Sequence, residues 1–187
     1  LWWLFLREPY PESIQYGVSF NTLYAHELNL DWEEVYVAIL EDLGVRHFRL
    51  AAHWPMLAPA EGEWNFKELD RQLELAKQYD AEVVLAVGRR LPRWPECHIP
   101  EWAKEKSWDE QKKLLRTYLE TVVNRYKDNE TITYWQVENE PFLTVYAKEQ
   151  CGDLDGSFLE EEIALVKELD PTRPVLVTDS GNLGTWI

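Results

Sequence analysis

Hydrophobic and polar positions alternate along this chain in two distinct rhythms. Short apolar runs at residues 16–20, 47–51, 82–87, 132–137 and 175–178 have the length and character of buried strands. Between them the apolar residues fall on one helical face, with recognisable helix ends. Asp31 can cap WEEVYVAILEDL, which stops at Gly44. Asn65 can cap FKELDRQLELAKQY, whose Leu69, Leu73 and Ala76 share a face. Ser107 with Glu110 makes a capping-box pattern before KKLLRTYLETVVNRY, and Ser157 with Glu160 repeats it before EEIALVKEL. Asp170-Pro171-Thr172-Arg173-Pro174 is a turn back into a strand.

Strands alternating with helices imply βαβ units and a parallel sheet with right-handed crossovers. A doubly wound sheet announces itself by a Gly-rich turn after its first strand. Here Asn21-Thr22-Leu23-Tyr24 follows instead, and Gly181 and Gly184 are too sparse to cradle a phosphate. Polar and aromatic residues after the strand ends favour an α/β fold of the (β/α)8 TIM-barrel type. Four βα units between Tyr16 and Val175 take roughly 40 residues each, and a closed barrel needs eight. The expectation is therefore a barrel cut after its fifth strand, occupying residues 16–187. Residues 1–15 form an apolar, Pro-containing N-terminal segment. Its LWWLFL start is too short to span a bilayer. It reads equally as the tail of a truncated signal or anchor and as a strand packed on the body.

Charge narrows the partners. Nineteen Lys and Arg stand against thirty-four Asp and Glu, a net charge of −15, which argues against nucleic acid and anionic lipid. Ten Trp, nine Tyr and six Phe in so acidic a chain suit a neutral ligand recognised by flat apolar faces, with sugars the obvious class. Cys97 and Cys151 lack the close pairing with histidine that a zinc site shows, and His26, His47, His53 and His98 are scattered. No metal or organic cofactor is implied. One disulfide and two buried thiols both remain open.

The strongest chemical signal is Trp135-Gln136-Val137-Glu138-Asn139-Glu140-Pro141 at the end of the fourth expected strand. A carboxylate at a strand end beside an amide suits a general acid that protonates a glycosidic oxygen. The string resembles the Asn-Glu-Pro motif of the large clan of retaining glycoside hydrolases built on the (β/α)8 barrel. Phe48-Arg49-Leu50 is similar to the clan segment whose arginine sits in the barrel floor near the nucleophile. His53-Trp54-Pro55, followed by Pro59-Ala60-Glu61-Gly62-Glu63-Trp64-Asn65-Phe66, resembles the W…PxEGxWxF stretch that β-galactosidase-like and endo-xylanase families carry. The resemblance implies Glu140 as catalytic acid/base, Asn139 bonded to the sugar 2-hydroxyl, and a nucleophilic glutamate on a seventh strand, beyond residue 187.

Other residues enter by position. Arg49, His53, Trp54 and Trp94 follow or end strands and are expected to contact substrate. Trp64, Trp102 and Trp108 read as packing residues, and His26-Glu27 as a solvent-facing loop. Asp179 and Asn182 follow the fifth strand. Plain β alternation would put Glu138 and Glu140 on one face and Asn139 on the other. The strand must bulge or end there if Asn139 and Glu140 are both to reach a ligand. A non-catalytic sugar-binding barrel fragment, or an inactive truncated homologue, is the alternative to an enzyme. Open strand edges predict self-association, and a secreted or cell-surface setting follows from the apolar start and a carbohydrate substrate.

Overall fold

The structure, a computed structural model, describes residues 14–93, 97–143, 151–152 and 155–179. Residues 1–13, Trp94, Gly181, Asn182 and Gly184 lie outside these. Five strands form one sheet in the order β1-β2-β3-β4-β5. They are β1 (Val18–Ser19), β2 (His47–Ala51), β3 (Glu82–Val87), β4 (Ile132–Val137) and β5 (Val175–Leu176). Every neighbouring pair is parallel. Each strand pairs with the next in sequence, as barrel strands do, and the order never reverses as it would in a doubly wound sheet. The first and last strands are shorter than their apolar runs suggest.

The connections are α1 (Thr22–Glu27), α2 (Trp32–Glu41), α3 (Trp54–Leu57), α4 (Lys67–Gln78), α5 (Glu101–Lys104), α6 (Trp108–Tyr126) and α7 (Gly156–Leu169). Asp31 caps α2 through the Glu33 and Glu34 N–H groups, and Ser107 and Glu110 form the expected box on α6. Two helix starts differ from expectation. Phe66 rather than Asn65 is the N-cap of α4, although Asn65 accepts a bond from Lys67 N at 3.3 Å. Asp155 caps α7 by accepting from Phe158 N, and Ser157, now inside the helix, donates to Asp155. His26 and Glu27 close α1 instead of lying in a loop, with His26 beside Glu68.

Alternation along the strands divides the sheet into two unlike faces. Phe48, Leu50, Val83, Leu85, Ile132, Trp135 and Val137 point under the helices and are almost wholly buried, joined there by Leu115, Tyr118, Leu119 and Val122 of α6. His47, Arg49, Val84 and Tyr134 line the opposite, concave face, around a hollow of about 440 Å³. Tyr134 there remains 43% exposed. Cys97, after β3, and Cys151, after β4, form a disulfide with Cα atoms 5.4 Å apart.

At the far end of the sheet, Asp170 fastens α7 to β4. Its carboxylate is 2% exposed and accepts from Trp135 Nε1 at 2.9 Å, Thr172 Oγ1 at 2.6 Å and Arg173 Nη1 at 2.5 Å. Arg173 in turn donates to the carbonyls of Ile132 and Asn129. Burial alone would raise the Asp170 carboxyl, but these donors outweigh it and hold the group at about 2. A depressed carboxyl stabilises the fold above its unfolded value near 4, and that contribution disappears as pH falls through 2. Asp170→Asn is expected to cost about 2 kcal/mol at pH 7 and to flatten the acid loss between pH 4 and 2. Denaturant unfolding across that range measures both, and a variant with an unchanged midpoint at pH 7 contradicts the assignment.

Candidate active site

Parallel strands bring their C-terminal ends to one rim, where the polar residues of the sequence meet. Asn21, after β1, accepts a bond from Tyr24 N and so starts α1. Its amide nitrogen lies 3.1 Å from Pro92 O and 3.3 Å from His53 Nε2. The His53 and His98 rings pack edge to face at 4.8 Å. Burial, with His98 adding, pushes His53 down to about 3, so its imidazole is neutral. Arg49 on β2 donates to Ser19 Oγ at 2.8 Å. Burial lowers its guanidinium below the ordinary value, and the Glu140 carboxylate opposes that shift from across the rim. Ser19, Asn21, Arg49, Ala51, Pro92 and Arg93 enclose a hollow of about 180 Å³.

The fourth strand ends at Val137, and the backbone then leaves β geometry. Glu138 and Glu140 both take left-handed φ values, 57° and 46°, at a cost of roughly 1–2 kcal/mol each for a residue with a Cβ. Several bonds hold this turn. Glu138 accepts from Arg89 N at 2.9 Å and Arg90 N at 2.6 Å. Asn139 N donates to Arg90 O at 2.7 Å, while the Arg90 guanidinium donates to Pro141 O and Leu143 O. Thr178, just past β5, accepts from Glu140 N at 3.1 Å and donates to Asn139 Oδ1 at 3.2 Å. Gly88 makes room for the arrangement: a Cβ there would sit 2.4 Å from Glu138 Oε1, and its φ is +119°. The end of the strand thus removes the alternation problem, and Asn139 and Glu140 need not lie on opposite faces.

The profile of the family described as glycosyl hydrolase family 10 matches residues 23–159. The chain belongs to that family. Among curated relatives of this family 10 chain, β-galactosidase BgaA of Clostridium cellulovorans is 22% identical over 173 residues, which are 83% of this chain and 26% of the relative. Endo-1,4-β-xylanase A of Halalkalibacterium halodurans is 31% identical over 96 residues, 45% of this chain and 24% of the relative. Among solved structures, xylanase 10B of Thermotoga maritima superposes with a TM-score of 0.61 at 20% identity, covering 88% of this chain and 49% of that one. GH5_18 of Streptomyces cattleya in complex with GlcNAc gives 0.65 at 16%, covering 88% and 44%. The chain therefore spans about a quarter of these curated relatives and under half of these structures.

Not every expected contact residue of this family 10 chain reaches the rim. Trp54 does not: it is 1% exposed, packed between Trp102 and Tyr118 at 5.9 Å each. The cause is α3, which begins at Trp54 and turns the ring back into the core. His53 is on the rim but 2% exposed, so it supports Asn21 more than it offers a surface. Trp94 lies outside the described residues. Trp102 and Trp108 are packing residues as expected, while Trp64 stacks on Phe66 and stays 38% exposed. Arg90, Gln136 and Thr178 are the members that the sequence reading missed. Thr178 ends the fifth apolar run, and that position was its one signal. Among the described residues no group of three or more His, Cys, Asp or Glu could hold a metal, and no helix is long and apolar enough to cross a membrane.

Proposed function

We propose that this chain carries the acid/base half of a retaining glycosidase site that cleaves O-glycosidic bonds of a poly- or oligosaccharide. The observation that carries the reading is the turn after β4, which sets Glu140 at the rim, within electrostatic reach of Arg49. In the proposed cycle, Glu140 gives its proton to the leaving oxygen as a second carboxylate attacks the anomeric carbon. It then takes a proton from the water that releases the sugar. The second carboxylate would come from barrel strands additional to the five described. Gln136 and Thr178 both bond the Oδ1 atom of Asn139, which directs its amide N–H groups toward a sugar hydroxyl. Arg49 would neutralise charge near the attacking carboxylate, and neutral His53 would brace Asn21. The Cys97–Cys151 bridge supports an extracytoplasmic setting, where disulfides persist.

Stereochemistry tests the proposal. A chain carrying this sequence through eight strands is expected to release product whose anomeric configuration is that of the substrate, read by NMR before mutarotation. Net inversion would overturn the double displacement, because inverting enzymes hold a water between carboxyl groups set further apart.

A further inference from the structure

Beneath the Asn139–Glu140 turn lies a buried acidic pair that the proposed chemistry does not use. Glu162 projects from α7 and is 2% exposed, against Glu138 at 5%, and the two carboxyl groups are in hydrogen-bond contact. Both Glu138 oxygens already accept backbone bonds, from Arg89 and Arg90. One Glu162 oxygen receives no bond from any donor among the described residues. The adjoining cavity, bounded by Arg89, Arg90, Trp108, Glu138 and Glu162, is only about 30 Å³. With both side chains almost fully buried, bulk solvent screens the pair poorly.

Two carboxylates in contact at this depth repel each other and cannot both ionise. A single proton between them turns the repulsion into a short, charge-assisted hydrogen bond. Burial first, and then the Glu138 charge, push the Glu162 carboxyl well above the usual carboxylate range. Glu138 holds the better claim to the negative charge, since the Arg89 and Arg90 backbone N–H groups serve it.

We propose that Glu162 is a positioning residue: as a neutral acid it donates to Glu138, and the pair fixes the turn that carries Asn139 and Glu140. Given Glu140 as acid/base (the reading on which this one rests), the path is short. Glu138 ties the first residue of the turn to the end of β3, and Arg90 bonds the turn's far side at Pro141 and Leu143. Loss of the Glu162 bond frees Glu138 to swing toward solvent and lets the left-handed residues relax. The charged and titratable groups facing the pair are Arg89 and Arg90 from the β3 end, Tyr118 from α6, and Asp155 at the start of α7. High pH, by ionising Glu162, would set two charges in contact and loosen the turn.

Infrared difference spectra of this chain against Glu162→Gln at pH 7 are expected to show the C=O stretch of one protonated carboxylic acid, lost in the variant. Absence of that band overturns the shared proton. In a chain carrying the sequence through eight strands, Glu162→Leu should lower kcat for poor leaving groups about 100-fold, as expected for a misplaced catalytic group, with KM changed less than twofold. Glu162→Gln, whose amide N–H replaces the acid O–H, should recover kcat to within about threefold and extend activity on the alkaline side. A Leu variant at wild-type kcat, or a Gln variant as slow as Leu, overturns the positioning role. Should the Leu variant not fold, the infrared band and the Gln alkaline limb decide. Intact turnover by Glu140→Gln would instead remove the acid/base assignment, and the infrared band would still judge the pair.

Discussion

Glu140→Gln is expected to lower turnover of unactivated glycosides by about 10²–10⁴-fold in a chain that completes the barrel, the range that one positioned acid or base supplies. Gln keeps the size of the side chain and its place after the left-handed turn but has no proton to give. The loss should therefore track the leaving group. A natural saccharide, whose departing oxygen is strongly basic, needs protonation and should suffer most. A dinitrophenyl glycoside leaves without help and should retain near wild-type formation of the glycosyl-enzyme. Its second step still needs a base, so a burst followed by slow release is the expected trace. Added azide, an anionic nucleophile that needs no base, should speed that release. Uniform loss across the panel would show that Glu140 holds the fold or the substrate and transfers no proton.

Reducing the Cys97–Cys151 bridge is expected to cost up to about 4 kcal/mol of stability, from loop-closure entropy alone. The two cysteines are 54 residues apart, and the entropy removed from an unfolded chain by closing such a loop has that size. The bridge links the loop after β3 to the segment after β4, the two stretches that flank the Glu138 turn. Cys97→Ser with Cys151→Ser, compared with wild type in guanidinium under oxidising conditions, measures the effect. A reductant should bring wild type to the same midpoint as the double variant. A difference below about 1 kcal/mol would mean that the unfolded chain is already compact between these positions.

The regular parts of this fold were legible because period and capping operate within a few residues. The parallel order, the strand positions and the caps at Asp31 and Ser107 all follow from local pattern. Glu140 and Asn139 stand as candidates by resemblance, through a motif of adjacent residues. What escaped is non-local. Glu138 looks like an ordinary alternating strand residue until Arg89 and Arg90, 49 and 48 positions earlier, are seen to hold it. Glu162 sits in EEIALVKEL among other acids, and only the rotation of α7 separates it from the exposed Glu160 and Glu161. Trp54 faces the core for a related reason: a Trp after a strand can face a ligand or the core, and the one-turn helix that decides this leaves a weak sequence trace. Disulfide pairing likewise depends on how two loops approach in space.

Strand order also bears on how the chain acquires its structure. Every ladder joins consecutive strands, so each strand that emerges during synthesis finds its partner already made. Pairing can then spread between neighbours without waiting for distant segments, which keeps the loop-closure cost of each step small. The central ladders, five pairs between β2 and β3 and five between β3 and β4, would form a nucleus over which α4 and α6 close. β1 and β5, with two pairs each, would join late and open early. Amide hydrogens of Leu50, Leu85 and Trp135 should accordingly exchange most slowly. Val18 and Leu176 should report the first opening events, so the rim would gain its Thr178 contact to Glu140 only in the last stage of folding.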